Sequence, residues 1–232
     1  MIPLRSPKND DELIALIKSE LFTAVIGDIM DKLGFLNQFL PPQVQPLRKD
    51  MIVVGRAMPV LEADVFESAD RGNNSVLQKP FGLMLEALDD LKKDEVYICS
   101  GASPSYALWG ELMSMRALKL GAAGAVVNGY SRDTNGILEL NFPTFSYGSY
   151  AQDQAPRGKV IDFRTSIEMN GAVIRNGDYV IGDRDGVCIV PHDASEEIFR
   201  LAFEKARGEK IVFQKIKEGM SAKAAFETYG IM

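Results

Sequence analysis

The sequence predicts an α/β fold that ends in a helical extension, and three patterns carry that expectation. Residues 95–99 (EVYIC) and 124–128 (GAVVN) are short, continuous apolar runs. Such runs mark strands buried on both faces, as in a parallel sheet. Between residues 144 and 190 several short apolar segments alternate with turn signals: Asn170-Gly171, Asn176-Gly177-Asp178 and Asp183-Arg184-Asp185-Gly186. Beyond Pro191 a long, charged stretch has helical spacing as far as Glu218.

Taken in order, residues 10–33 read as two helices. Asp10 or Asp11 caps the first, Thr23 caps the second, and Gly34 takes the left-handed position after Leu33. Pro41, Pro42 and Pro46 keep residues 39–49 extended or looped. Residues 53–61 are a strand that Gly55 and Pro59 restrict to an edge or a bend. Residues 76–90 predict a helix, 95–99 a strand, and 109–120 a helix with Leu112, Met115 and Leu118 on nearly one face. Gly121 stops that helix before the strand at 124–128. Further strands are expected at 144–147, 159–163, 172–174, 179–182 and 187–190. Asp193 followed by Glu196 fits a capping box for the long helix, Gly219 ends it, and Ser221 caps a final short one. The chain reads as one structural domain in two parts. Residues 1–192 form the α/β body with its N-terminal helices, and 193–232 form a helical extension.

Composition narrows the function. Forty-six per cent hydrophobic and 25% charged residues fit an ordinary globular protein. A net charge of −6 with no basic block argues against nucleic acid as a partner. No run approaches 18 apolar residues, so no membrane span is expected, and MIPLRSPKND lacks the apolar segment of a signal peptide. Cys99 and Cys188 sit in apolar runs and read as buried thiols, which agrees with a cytoplasmic setting. His192 is the one histidine. With two cysteines it cannot complete a four-ligand zinc site, and any Ser-His or Cys-His chemistry would have to run through it. Carboxylates, water and a hard, oxygen-bound cation are the remaining tools.

The densest group of chemically useful residues lies at 101–135. Two loops follow predicted parallel strands, and ligands gather beyond the carboxyl ends of such strands. The first carries Trp109-Gly110-Glu111-Leu112-Met113 and the second Arg132-Asp133. Gly110 allows close approach to the backbone N–H groups of a helix start, which favour anions. Arg132 offers a planar fork for a carboxylate, while Asp133 and Glu111 offer oxygens to a divalent metal. The plain alternative is that Arg132 and Asp133 are solvated loop charges and that Glu111 only complements a helix dipole.

The same residues resemble the RraA-like family, which includes metal-dependent 4-hydroxy-4-methyl-2-oxoglutarate aldolases. The likeness rests on A-x-W-G-E-L at 107–112, G-A-A-G-A-V-V-N-G-Y-S-R-D at 121–133, F-P-T-F at 142–145 and G-D-x-V-x-G-D-x-D-G-V-x-x-V-P at 177–191. It implies an α/β RraA-like swivelling β/α sandwich that assembles as a homotrimer or homohexamer, the C-terminal helices packing on a neighbouring subunit. It also implies Mg²⁺ or Mn²⁺ anchored by Asp133 and reached through water by Glu111. Arg132 would contact the pyruvyl part of a small anionic 2-oxo acid, and the amides around Gly110, Leu112 and Met113 its carboxylate. Counting back from Gly219 assigns Glu209 as the glutamate that a neighbouring subunit contributes; a surface charge is the alternative. Two departures stand out: Asn128 where the family commonly has Asp, and Glu111 where the best-known aldolases have Asp.

The reaction so implied is retro-aldol cleavage of a 4-hydroxy-2-oxo acid to pyruvate, with oxaloacetate decarboxylation as a side activity. Three competitors come from the same resemblance. One is the non-catalytic regulator that binds a ribonuclease; those proteins end soon after the last strand, whereas this chain runs about 40 residues beyond Pro191. Another is a sugar-acid lyase or dehydratase. The third, methyl transfer, is disfavoured because no G-x-G-x-x-G follows a strand.

Overall fold

The computed structural model describes residue 7 and residues 9–65 and 74–231; most of the N-terminal decapeptide read for a leader lies outside them. In chain order the elements are α1 (Asp10–Glu20), α2 (Thr23–Lys32), β1 (Gln45–Pro46), β2 (Val53–Asp64), α3 (Ser75–Gln78), α4 (Met84–Asp89) and β3 (Glu95–Ser100). Then follow β4 (Ala107–Trp109), α5 (Glu111–Leu120), β5 (Gly124–Val127), β6 (Tyr130–Ser131), α6 (Thr134–Glu139), β7 (Thr144–Ser146) and β8 (Gly158–Phe163). The chain ends with β9 (Ile167–Met169), β10 (Ala172–Ile174), β11 (Tyr179–Asp183), β12 (Gly186–Val190), α7 (Ser195–Lys217) and α8 (Ala222–Tyr229). They divide into two compact units: Asn37–His192, and Met1–Leu36 with Asp193–Met232. The N-terminal helices thus group with the C-terminal ones and not with the α/β body.

In the α/β unit the main sheet runs β1-β7-β5-β3-β2-β11-β12, with β8 also paired to β2. The β2–β3, β3–β5 and β5–β7 pairs are parallel. Alternation along β3 feeds two cores. Tyr97 and Cys99 face a cluster with Trp109, Ala117 and Phe142, while Val96 and Ile98 face one with Val53, Phe145, Ile174 and Ile189. That is the two-residue period of a strand covered on both faces.

Residues 53–61 are neither edge nor bend: β2 is a twelve-residue central strand. Pro59 is tolerated because of where it falls. On one side β2 pairs with β11 through Val53–Arg56 and with β8 through Val60–Asp64. Pro59 lies where the partner changes, so its missing N–H breaks no ladder. Its carbonyl still accepts from Arg164 N at 2.7 Å. Gly55 is required for space, since a Cβ there would sit 2.4 Å from the Asp94 carbonyl oxygen. The helix expected at 76–90 is split into α3 and α4 around Pro80, which cannot continue a helix. The face of α5 that packs inward holds the small residues Ser114 and Ala117. Leu112, Met115 and Leu118, expected on nearly one face, point out and are 84%, 40% and 42% exposed.

In the helical unit, α7 buries Ile198, Phe199, Ala202, Phe203 and Ala206, a 3–4 spacing that lays one stripe against its neighbours. Arg207 grips both oxygens of Glu20 at 2.8 and 3.0 Å. Asn9, not Asp10 or Asp11, caps α1 by accepting from Glu12 N at 2.9 Å. Phe22 stands at the cap of α2, with Thr23 already helical and buried. Asp193 falls in a 3₁₀ turn ahead of α7, so no capping box forms. Ser221 caps α8 as expected.

Candidate active site

A small parallel pair builds the site. β4 pairs with β6 in parallel, and Arg132 N donates to Trp109 O at 2.9 Å. The chain therefore leaves both strands side by side, carrying Gly110-Glu111 on one exit and Arg132-Asp133 on the other. A Cβ on Gly110 would lie 3.0 Å from Asp133 Oδ2 and 3.6 Å from Arg132 Cγ. Glycine is what lets the Asp133 carboxylate rest against the start of α5. Gly136 plays the reciprocal part. A Cβ there would fall 2.1 Å from the Glu111 carboxyl carbon, so Glu111 lies across the first turn of α6.

Two backbone features leave the helix starts at this junction without side-chain caps. Gly110 is the N-cap of α5 and has no side chain to cap it, so the first-turn N–H groups of Leu112 and Met113 receive no side-chain acceptor from that position. Asp133 is the N-cap of α6, yet it makes no capping bond and adopts φ 54°, ψ 38°. That left-handed conformation costs an ordinary residue about 1–2 kcal/mol and is easiest for Asp and Asn. A carboxylate in a capping position that caps nothing is free to serve an external partner. Among the described residues its charged neighbour is Arg132, with Nε 3.6 Å from Asp133 Oδ2. Glu111, Asp133, Thr134, Asn135, Gly136 and Ser149 line an open pocket of ≈ 340 Å³.

The structure thus brings Gly110, Glu111, Arg132 and Asp133 together, with Leu112 and Met113 following on α5. Glu209 belongs to the helical unit, where Lys205 Nζ holds it at 2.6 Å. Among the described residues no three His, Cys, Asp or Glu side chains converge as a metal cage. Two carboxylates on one pocket suit a cation such as Mg²⁺, which keeps several waters and takes one or two carboxylates from the protein. His192 lies outside the pocket, with Nδ1 2.9 Å from Arg56 Nη1.

Three parts were not legible from the motifs. The pairing of β4 with β6 and the helix α6 come from segments too short to show a period. Asp153 meets Arg132 Nη1 at 3.1 Å across 21 positions of sequence. Asn128, one of the two departures, has a structural account. It accepts from Tyr147 OH at 2.7 Å and donates to Ser100 Oγ at 3.0 Å. The Ser100 hydroxyl spends its proton on Glu168 O, so position 128 must both accept and donate, which an amide does and a carboxylate does not.

The family model RraA-like, Aldolase/RraA, matches residues 23–189. The chain belongs to the RraA-like family. A Halalkalibacterium halodurans protein named "Putative 4-hydroxy-4-methyl-2-oxoglutarate aldolase" is 29% identical over 204 residues, 88% of this chain and 89% of that protein. Protein DlpA of Legionella pneumophila is 24% identical over 208 residues, 89% of this chain but 32% of its own length, so the chain spans about a third of that relative. The crystal structure of Streptomyces coelicolor RraAS2, titled an unusual member of the RNase ES inhibitor RraA protein family, superposes with a TM-score of 0.75 at 20% identity. It covers 88% of this chain and 96% of that one, a likeness of fold. Among the described residues no helix is long and apolar enough to cross a membrane.

Proposed function

We propose that this RraA-like protein is a divalent-metal-dependent lyase that cleaves a 4-hydroxy-2-oxo acid to pyruvate and also decarboxylates oxaloacetate. The observation that carries this reading is the placement of the Asp133 carboxylate against the uncapped start of α5, with Arg132 beside it. Asp133 would hold Mg²⁺ or Mn²⁺, with Glu111 reaching it through water. A cation bound there polarises the 2-oxo group and stabilises enolate charge. Arg132 and the amides of Leu112 and Met113 bind the substrate's carboxylate and fix its orientation. The C4 hydroxyl loses its proton, the C3–C4 bond breaks, and its electron pair passes to the pyruvate enolate. C3 then takes a proton from water. Glu209 of a neighbouring copy is given the role of holding the water that receives the hydroxyl proton.

That role requires a homotrimer or homohexamer, and the outward Leu112, Met115 and Leu118 of α5 are an apolar stripe that self-association would cover. The test is a screen of 4-hydroxy-2-oxo acids, sugar acids and oxaloacetate for pyruvate release. We expect turnover that EDTA abolishes and Mg²⁺ or Mn²⁺ restores. Activity untouched by EDTA, or no turnover together with specific capture of a ribonuclease, would reverse the reading.

A further inference from the structure

Asp153 lies outside every motif that points to the site, yet it is the residue that holds Arg132. Its Oδ1 sits 3.1 Å from Arg132 Nη1, while Arg132 Nε faces Asp133 Oδ2 at 3.6 Å. The guanidinium thus faces two carboxylates, one at Nη1 and one at Nε. If Asp133 takes up a cation, its charge is shared and Asp153 becomes the firmer of the two holds.

Asp153 is not a loose surface acid. On its N-terminal side Gln152 O accepts from Ala107 N at 2.8 Å, which fastens the segment beside β4. Asp153 itself forms a bridge with Ala107. On its C-terminal side Gln154 is buried and donates to Glu62 Oε2 at 2.6 Å inside the core. Arg157 Nη1 returns to Asp153 O at 3.2 Å. The backbone around Asp153 is therefore fixed on both flanks, while its side chain is 47% exposed and Arg132 is 39% exposed. An ion pair this open contributes little to folding, so its fixed geometry calls for another use.

We propose that Asp153 is the positioning residue for Arg132: it holds the guanidinium by Nη1 and turns the Nη2 side to the substrate's carboxylate. The same negative charge competes with that carboxylate, so Asp153 also limits how tightly the site binds anions. This inference rests on the functional reading above, because it takes Arg132 to be the substrate's carboxylate contact.

The two effects separate by substitution. Asp153→Asn keeps an acceptor oxygen and removes the charge; Asp153→Ala removes both. Oxalate, a small dianion, is the probe. Its dissociation constant with Mg²⁺ is read from the fluorescence of Trp109, the one tryptophan, whose carbonyl bonds Arg132 N. Both variants are expected to bind oxalate at least threefold more tightly. With oxaloacetate, Asp153→Asn should keep kcat within about twofold of wild type, and Asp153→Ala should lose about tenfold. Neither change should appear when the same substitutions are made in Arg132→Ala. Looser oxalate binding in both variants, or equal effects in the Arg132→Ala background, would overturn the proposal and leave a structural role. A wild type that releases no pyruvate but shows the Arg132-dependent tightening would sink the lyase reading and keep this one. A wild type that turns over while both variants match it would do the reverse. Failure of the wild type to bind oxalate at all overturns the proposal.

Discussion

Adjacent residues of one loop, Asp153 and Gln154, point into two different worlds. Gln154 turns inward to Glu62, a carboxyl that is 1% exposed; Asp153 turns outward to Arg132 at the pocket. Burial alone pushes the Glu62 carboxyl up to about 8, so at neutral pH it is largely uncharged. Among the described residues its Oε1 and the buried Tyr97 hydroxyl have no hydrogen-bond partner. Inside the core a carboxyl group acts as a polar peg that anchors the loop. At the rim the same functional group is held against a guanidinium in an open ion pair. One chemical group is an internal anchor where water is excluded and a half-exposed ion-pair partner where water enters.

Substitutions should break the two settings differently. The largest effect falls at the pocket. Asp133→Asn keeps a residue that tolerates the left-handed backbone, so the fold should persist. Pyruvate release should nevertheless drop at least ~100-fold, the scale seen when a main charge-stabilising group is removed. Steady-state turnover of oxaloacetate with Mn²⁺ checks it.

In the core, Glu62→Gln should act on stability and on its pH dependence. The folded pKa is raised above the unfolded value of about 4.3, so the wild type keeps its full stability below that value and loses it as pH rises toward 8. The loss approaches ~1.4 kcal/mol per pH unit across this window and levels off above it. The variant lacks the titration, so its advantage over wild type should widen between pH 5 and 8 in urea melts. A constant difference would mean that Glu62 is already ionised in the fold.

A smaller effect is expected at Asn128→Asp. The carboxylate cannot donate to Ser100 Oγ, so one part-buried hydrogen bond is lost at about 1–3 kcal/mol. Thermal denaturation should record a Tm lower by several degrees. The smallest belongs to Asn9→Ala, which removes the cap of α1 in the helical unit. About 1 kcal/mol of helix stability should go with no change in turnover, as circular dichroism and a kinetic assay would show.

These settings also explain what the sequence could disclose. The buried strands were legible because continuous apolar runs have one physical use, but the site residues leave the short pair β4 and β6 that follows those strands, which no run announced. Pro59 misled because a proline's cost depends on which neighbour strand it faces, and β2 changes neighbours there. The shared face of Leu112, Met115 and Leu118 left its burial open, because periodicity reports an apolar face without saying whether the chain itself covers it. Small Ser114 and Ala117 were the better guide to close packing. Asp153 and Glu62 carried no local signal: each matters through one partner remote in sequence, Arg132 and Gln154. No spacing rule brings such pairs together before the fold does.

The central claim is that Asp133 caps nothing because it serves a cation. Mn²⁺ affinity, followed by the loss of the free-ion paramagnetic resonance signal as protein is added, tests this directly. The account predicts stoichiometric binding by the wild-type protein and at least a tenfold weaker dissociation constant in Asp133→Asn, with folded spectra unchanged. Equal Mn²⁺ affinity in the two proteins would contradict it.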